Sequence, residues 1–260
     1  MRTIPRWIYL PAVIGTAFIL IGPIALLART PWAEFWTSVT SSESLQALSL
    51  GLRTAAASTA VCLLLGIPMA MVFARTAGML IRVLRALVLL PLVLPPVVGG
   101  VALLYALGRR GLVGQYLETA GISIAFTTTA VVIAQTFVAL PFLVISVEGA
   151  LRSVGPEHEL TAATLGAGPT RTLWKVTLPL VFPAILAGTV LAFARALGEF
   201  GATITFAGNL PGTTQTAPLK IYLDSITDPE QALPLSVVLM CIALVVVVGV
   251  HLRGPGRVVT

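Results

Sequence analysis

Six stretches of about 20 mainly apolar residues are the feature that most constrains the fold of this chain. They cover residues 7–28, 50–74, 87–107, 128–147, 178–198 and 233–252. A helix of this length crosses the hydrocarbon core of a bilayer and satisfies its own backbone hydrogen bonds there. The sequence therefore predicts an all-α membrane protein with six transmembrane helices in a single domain, residues 1–260.

The first apolar run could be confused with a secretion signal, because Arg2 and Arg6 precede it. The apolar core of a signal peptide is only about 7 to 15 residues long. The run from Trp7 to Ala28 has 22 residues. We therefore expect a retained membrane anchor.

Basic residues flank the apolar runs, where they set the orientation of a membrane protein, so nucleic acid is not an expected partner. If the N-terminus is cytoplasmic, ten Lys and Arg residues fall on the inner side and five on the outer side. Cytoplasmic loops carry the excess of Lys and Arg. Both termini are therefore predicted to be cytoplasmic, in a cell membrane.

The polar segment of about residues 150–177 is long for an inner loop, because most connections have about 4 to 6 residues. Pro156 suits the first turn of a short helix, Glu157 and Glu159 favour its positive end, and the turn at 166–169 ends it. We interpret this segment as a docking surface for another protein. The alternative is an amphipathic helix that lies on lipid.

An internal similarity at an offset of 88 residues relates residues 74–107 to residues 162–195. Glycine and proline positions coincide in the two segments: Gly78, Pro91, Pro95 and Gly100 fall on Gly166, Pro179, Pro183 and Gly188. Some transporters are built from such parallel repeats. The third and fifth spans are therefore predicted to be structural equivalents.

Proline and glycine also mark the third span as a candidate part of a transport pathway. Pro95, Pro96, Gly99 and Gly100 follow one another closely. In a membrane, a bent helix needs neighbouring protein or a water-filled cavity to satisfy the freed backbone groups. The alternative is that Pro and Gly are simply common in membrane helices.

A charge lies inside the fifth span, in LAFARALGEFGATITF (191–206). Arg195 precedes Glu199 by one helical turn, so the two can pair. A central charge costs about 2.5 to 3.5 kcal/mol on insertion scales, so Arg195 should face protein or water. Either the pair is a structural salt bridge, or Arg195, with Glu199 and Thr203, lines a pathway for an anion.

Residues for enzyme chemistry are missing from the sequence pattern. The sequence has no G-x4-G-K-[ST] loop for nucleotide phosphates. His158 and His251 have no other metal-ligating residues at a suitable spacing. Cys62 and Cys241 each lie in an apolar run. We therefore predict no catalytic residue, no metal site and no enzyme activity. A membrane-embedded hydrolase, which would need a nucleophile with a base or paired metal ligands, is the least favoured alternative.

The polar segment resembles the cytoplasmic signature of ABC-importer permeases, E-A-A-x3-G, nine further residues and I-x-L-P. Gly166, nine intervening residues, and then Val176, Leu178 and Pro179 fit that spacing, while Leu160 and Thr161 stand at the Glu and first Ala. The resemblance implies that this loop docks on a separate ATPase. The expected contact residues are Glu157, Glu159, Leu160, Thr161, Ala162, Gly166 and Ala167.

Two further segments are similar to molybdate-type permeases. They are LAFARALGEFGATITFAGNLPGTTQTAPLKIYL (191–223) and LPLVLPPVVGGVALLYALGRRGLVG (90–114). The resemblance implies the type I ABC-importer permease fold in a prokaryotic membrane. It also implies a homodimer with two ATPase subunits, which bind ATP and Mg, and an external molybdate-binding protein; this chain itself would bind no cofactor.

Two alternatives remain for the transport activity. A tungstate or sulfate/thiosulfate permease would share the same fold and partners. A secondary anion carrier would also need an intramembrane Arg and a repeat, but it would lack a docking signature and would respond to ion gradients.

Overall fold

The computed structural model describes residues 5–253, and no strand occurs among them. Arg2 and Arg257, which contribute to the inner-side charge count, lie outside the described residues. The cytoplasmic location of both termini therefore stays a prediction.

The helices follow one another with short connections. They are α1 (Tyr9–Arg29), α2 (Phe35–Val39), α3 (Ser42–Arg75), α4 (Met79–Leu89), α5 (Pro96–Leu107), α6 (Gly114–Thr119), α7 (Thr128–Val154), α8 (Glu157–Thr164), α9 (Pro169–Thr172), α10 (Leu178–Leu197), α11 (Gly201–Phe206), α12 (Ala217–Thr227) and α13 (Pro229–Arg253). Two 3₁₀ turns, Arg6–Ile8 and Leu90–Leu92, and a π-helical turn, Leu173–Thr177, complete the order.

Among the described residues, five continuous helical stretches are long and apolar enough to cross a membrane. They are α1, α3, α7, the run Pro169–Leu197 that joins α9 to α10, and Pro229–Gly249 of α13. These stretches confirm the predicted first, second, fourth, fifth and sixth spans as helices. Several of them extend beyond the predicted bounds: α3 begins at Ser42, α7 continues to Val154, the run into α10 begins at Pro169 and α13 begins at Pro229.

The third span, predicted over 87–107, begins earlier than predicted and is sharply bent. Met79–Leu92 and Pro96–Leu107 are two helical pieces whose axes differ by 116°. The break lies at Pro95, which is extended (φ −54°, ψ 131°) and is followed by a second proline. A residue that precedes proline is disfavoured in the helical region, and neither proline can donate a backbone hydrogen bond across the break.

The predicted structural equivalence of the third and fifth spans does not extend to this break. In the fifth span, Pro179 lies in the first turn of α10 and Pro183 lies inside it, without a break. At the repeat offset, Ala184 stands where the third span has Pro96. Two prolines four residues apart are accommodated in α10, whereas the adjacent Pro95–Pro96 pair separates α4 from α5.

The centre of the protein is α7, which packs mainly against α3 and α10. Small residues allow the close approach: a Cβ at Gly66 of α3 would lie 2.9 Å from Leu143 Cδ2, and one at Gly188 of α10 would lie 2.9 Å from Ser146 Cβ. By contrast, α1 has no buried residue and lies at the periphery. The central trio α3, α7 and α10 therefore positions both regions described next.

Candidate functional site: a coupling helix and an intramembrane ion pair

The helix predicted in the polar segment is present as α8, at nearly the predicted bounds. Pro156 precedes its first residue, Glu157, and the helix ends at Thr164, just before the turn that was predicted to end it. The chain then turns at Gly166, whose φ of +81° favours glycine. The Gly166 and Ala167 N–H groups donate to the carbonyls of Ala163 and Ala162, both at 3.0 Å. The turn therefore satisfies carbonyls that the helix end leaves free.

One side of α8 carries most of the predicted docking residues. Leu160 is 62% exposed and Leu165, just after the helix, is 83% exposed. Glu157, Thr161 and Gly166 are exposed as well. Two large apolar side chains that project from a polar segment are typical of a surface that another protein covers.

Glu159 lies on the other side of α8 and has partners within the chain. Its carboxylate accepts from Arg75 Nη2 at 2.9 Å and from Arg75 Nε at 3.1 Å. The Thr177 hydroxyl donates to Glu159 Oε1 at 3.1 Å. Ala162 and Ala167 are also half-buried. The structure thus joins α8 to the end of α3 and to the π-helical turn that leads into α10.

A buried glutamate that the sequence analysis did not single out lies close by. Glu148 of α7 is 1% exposed and pairs with Arg85 Nε of α4 at 3.0 Å and with Arg152 Nε at 2.8 Å. Arg152 also donates from Nη2 to the Phe73 carbonyl of α3 at 2.8 Å. This cluster connects α3, α4 and α7 at the same end of the molecule as α8.

A local signal for Glu148 was present in the sequence. Glu148 and Arg152 are four residues apart, the spacing at which oppositely charged side chains meet on one helix face. The predicted fourth span ends at residue 147 and the predicted polar segment begins at about residue 150, so Glu148 falls between the two. Recognising it would have extended the helix, which in the structure continues to Val154.

The predicted pathway residues Pro96, Gly99 and Gly100 lie where α5 meets α7 and α11. A Cβ at Gly100 would lie 2.8 Å from Ala202 Cα and would also contact the Thr205 hydroxyl, whereas one at Gly99 would lie 2.8 Å from Phe137 Cε1. A Cβ at Gly201 would lie 2.9 Å from Pro96 Cβ. The break at Pro95 thus directs α5 along α11, with glycine at the contact points.

Arg195 and Glu199 form the predicted ion pair next to this contact. Arg195 Nη1 lies 2.6 Å from Glu199 Oε2, and the Ala202 N–H of α11 donates to Glu199 Oε1 at 2.7 Å. Glu199 is 1% exposed and Arg195 is 28% exposed. The pair is formally neutral, and Arg195 is the member of the pair that is accessible from the protein surface.

Thr203 is fully buried on α11, and its hydroxyl has no hydrogen-bond partner among the described residues. The structure therefore brings α5, α11 and the Arg195–Glu199 pair together, and the Arg195 side chain is partly exposed. Whether these residues line a pathway stays a prediction.

No group of three or more His, Cys, Asp or Glu side chains in residues 5–253 is placed to hold a metal ion. His158 is exposed, Cys62 is buried and Cys241 is exposed. The side chain of His251 lies outside the described residues.

Comparisons of the sequence identify its relatives. Residues 63–253 match the family described as binding-protein-dependent transport system inner membrane component. The molybdenum transport system permease protein of Mycobacterium tuberculosis is 59% identical over 252 residues, which are 97% of this chain and 96% of that protein. The protein of the same description from Escherichia coli is 44% identical over 178 residues, 68% of this chain and 78% of that protein.

A solved structure has the same fold. It is a bacterial ABC transporter involved in the import of the acidic polysaccharide alginate, with a TM-score of 0.70 and 18% sequence identity over 97% of this chain and 95% of that chain. At this identity the likeness concerns the fold alone. It agrees with the type I importer permease fold that the sequence resemblance implied.

Proposed function

This chain belongs to the family of binding-protein-dependent transport system inner membrane components, and on that premise we propose that it is the membrane-spanning permease subunit of an ATP-driven molybdate importer. It is a multi-pass membrane protein and a transport subunit rather than an enzyme. Molybdate as the cargo is supported by 59% identity, over nearly the whole chain, to a molybdenum transport system permease.

One observation carries the coupling part of the proposal, namely the two-sided arrangement of α8. Its outer side offers Leu160 and Leu165 to a partner, whereas Glu159 on its inner side is hydrogen-bonded to Arg75 of α3 and to Thr177. A displacement of α8 by an ATPase would therefore pull on two spans at once. Because Thr177 leads directly into α10, the displacement would reach the helix that carries Arg195.

The proposed assembly has two copies of this chain, two ATPase subunits that bind ATP and Mg, and an external molybdate-binding protein. Alternating access requires the paired chains to rock between two states, each favoured by a different ligand of the complex. The binding protein would deliver the oxyanion to the outer loops, near 29–49, 108–127 and 201–232.

Arg195 is the proposed contact for the ion on its way through the membrane. Its guanidinium stays charged and offers a planar set of donors that suits an oxyanion. Because Glu199 neutralises Arg195 in this state, Arg195 would bind a passing dianion weakly rather than tightly. An ion that is held weakly can also leave, which transport requires.

The proposal is tested by uptake of labelled molybdate into vesicles that contain this chain, its ATPase and its binding protein. We expect uptake that needs ATP, that tungstate inhibits by competition and that sulfate leaves unchanged. ATP-independent uptake driven by an ion gradient would contradict the proposal and support a secondary carrier. Strong competition by sulfate would overturn the molybdate assignment and leave the importer assignment intact.

A pair of variants at Gly166 tests the coupling within the same assay. Gly166→Val places a β-branched residue at a φ of +81°, where it is strained, whereas Gly166→Asn tolerates that conformation. A Cβ at this position meets nothing within 4 Å, so the backbone is what the substitution changes. We expect uptake to fall about tenfold or more in Gly166→Val and to stay near wild type in Gly166→Asn.

A further inference from the structure

A cavity lined by four arginines opens where α3 and α7 end and α4 begins. Its volume is about 360 Å³, and the basic lining residues are Arg75, Arg82, Arg85 and Arg152. Within residues 5–253, two carboxylates pair with these arginines, Glu148 and Glu159, so the four arginines and two glutamates carry a formal charge of +2. This surplus has no role in the coupling and pathway functions described above.

Arg82 is the arginine of the cavity without an assigned partner. In the part of the chain that the structure describes, it forms no ion pair and no side-chain hydrogen bond, and it is exposed. Arg75, Arg85 and Arg152 instead use some of their donors on Glu159 and Glu148. A guanidinium has five donors, so donors remain available to an anion in the cavity.

The cavity lies at the level of the membrane surface. Arg75 is the last residue of α3, and Arg152 lies two residues before the end of α7. Both helices are long and apolar enough to cross the bilayer. Arginines that flank such spans lie among the lipid headgroups.

The adjoining helix α4 presents an apolar stripe beside the cavity. No residue of α4 is buried, and its exposed apolar side chains recur at helical spacing: Leu80, Val83, Leu84 and Leu87. Ile81 and Val88, on another side of α4, pack against the core, and Arg85 reaches Glu148. An exposed apolar stripe next to a basic cluster is the pattern of a helix that lies in the membrane interface.

We propose that this cavity binds the phosphate headgroup of an anionic phospholipid, with the acyl chains along the apolar stripe of α4. The positive surplus selects an anion, and the apolar stripe beside it selects a lipid over a free oxyanion, which has no apolar part. Basic pockets between spans on the cytoplasmic side are typical headgroup sites. The inference rests on the proposed function in one respect, namely that the cavity lies on the cytoplasmic side of the membrane.

The binding test uses the full chain, without ATPase, in nanodiscs of phosphatidylcholine with and without phosphatidylglycerol. Retained phosphatidylglycerol is counted by native mass spectrometry in wild type, Arg82→Gln and Arg110→Gln. Arg110→Gln removes the same charge from an exposed arginine elsewhere on the molecule. A basic residue near a membrane surface contributes roughly fivefold in affinity for anionic lipid, so we expect about that loss in Arg82→Gln and a smaller loss in Arg110→Gln, which does not line this cavity.

A second arm separates a lipid headgroup from a free anion. Inorganic phosphate is titrated into phosphatidylcholine nanodiscs, and the thermal unfolding midpoint is measured. We expect phosphatidylglycerol to raise the midpoint and free phosphate to leave it unchanged. Equal lipid retention in Arg82→Gln and wild type would overturn the proposal, and so would a free anion that reproduces the lipid effect. Because no transport is measured, failure here leaves the importer assignment untouched.

Discussion

Glu199 and Glu148 are both 1% exposed, yet the structure holds them in different ways. Glu199 has one arginine, four residues earlier in the chain, and the N–H of Ala202. Glu148 is shared by two arginines, and one of them, Arg85, comes from a separate helix. The first arrangement is local and compact, whereas the second joins helices through long side chains.

The surroundings sharpen this difference. Near Glu199, α5 and α11 meet through glycines that leave no room for a Cβ. Near Glu148, the Arg85 and Arg152 side chains are 42% and 49% exposed. Water can therefore replace some of the hydrogen bonds that the Glu148 carboxylate accepts from them. We infer that the Glu199 region is a fixed contact, and that the Glu148 region tolerates relative movement of α4 and α7. A movable region near α8 and a fixed contact farther away are expected if the ATPase displaces α8.

The largest effect is expected from Arg195→Glu. The change places two carboxylates one helical turn apart inside the fold and removes the proposed contact for the oxyanion. We expect molybdate uptake to fall at least about a hundredfold, whereas Arg195→Lys should retain part of it. Copurification of the ATPase with each variant measures docking. Loss of docking together with uptake would show that Arg195 has a structural role.

The two glutamates can be compared directly through Glu199→Gln and Glu148→Gln. Removing one partner of a buried ion pair costs about 3 to 5 kcal/mol, and partial exposure of Arg195 places Glu199→Gln near the lower end. For Glu148→Gln we expect about 1 kcal/mol, because both arginines are solvated more easily. Denaturant unfolding in the same detergent measures both. Equal losses would remove the distinction between the two regions.

The close contact of α5 with α11 is tested by Gly100→Ala. The new methyl group would overlap Ala202 and Thr205, and overpacking of this kind costs about 1 to 3 kcal/mol. Gly149→Ala in α7 is the matched control, since a Cβ there meets nothing within 4 Å. The control should leave the free energy of unfolding unchanged or raise it by up to about 1 kcal/mol. A harmless Gly100→Ala would mean that the contact is loose.

The smallest expected effect concerns the link between α8 and α3. A double-mutant cycle with Arg75→Gln and Glu159→Gln should give an interaction energy of about 0.5 to 1 kcal/mol, because both side chains are about a quarter exposed. The readout is again the free energy of unfolding. If the two effects were strictly additive, Glu159 would not hold α8 on α3, and the proposed transmission would lose that connection.

Hydropathy and turn residues predicted much of the fold because lipid imposes a strict length and composition on each span. The sequence located α8 as well, since Pro156 and Gly166 mark its two ends. The proline and glycine pattern indicated a bend in the third span but did not distinguish this span from the fifth, because the difference depends on a second proline. Pro96 breaks the helix, whereas Ala184 at the repeat position does not.

The inward partners could not be derived from local patterns. Glu159 was expected at the ATPase contact, but its partners Arg75 and Thr177 are 84 and 18 residues away in sequence. Glu148 likewise depends on Arg85, 63 residues away. Such pairs arise from the tertiary packing of α3, α4 and α7, which periodicity and spacing do not encode.

Photocrosslinking from position 165 in the assembled transporter tests the central claim most directly. A photoreactive amino acid replaces Leu165 beside α8 or, as the control, Tyr105 on α5, which is also an exposed large apolar residue. The account predicts that position 165 crosslinks to the ATPase subunit and that position 105 does not. Crosslinking to lipid alone at position 165 would contradict the docking of α8 on an ATPase. It would support the alternative that this segment is an amphipathic helix on the membrane surface.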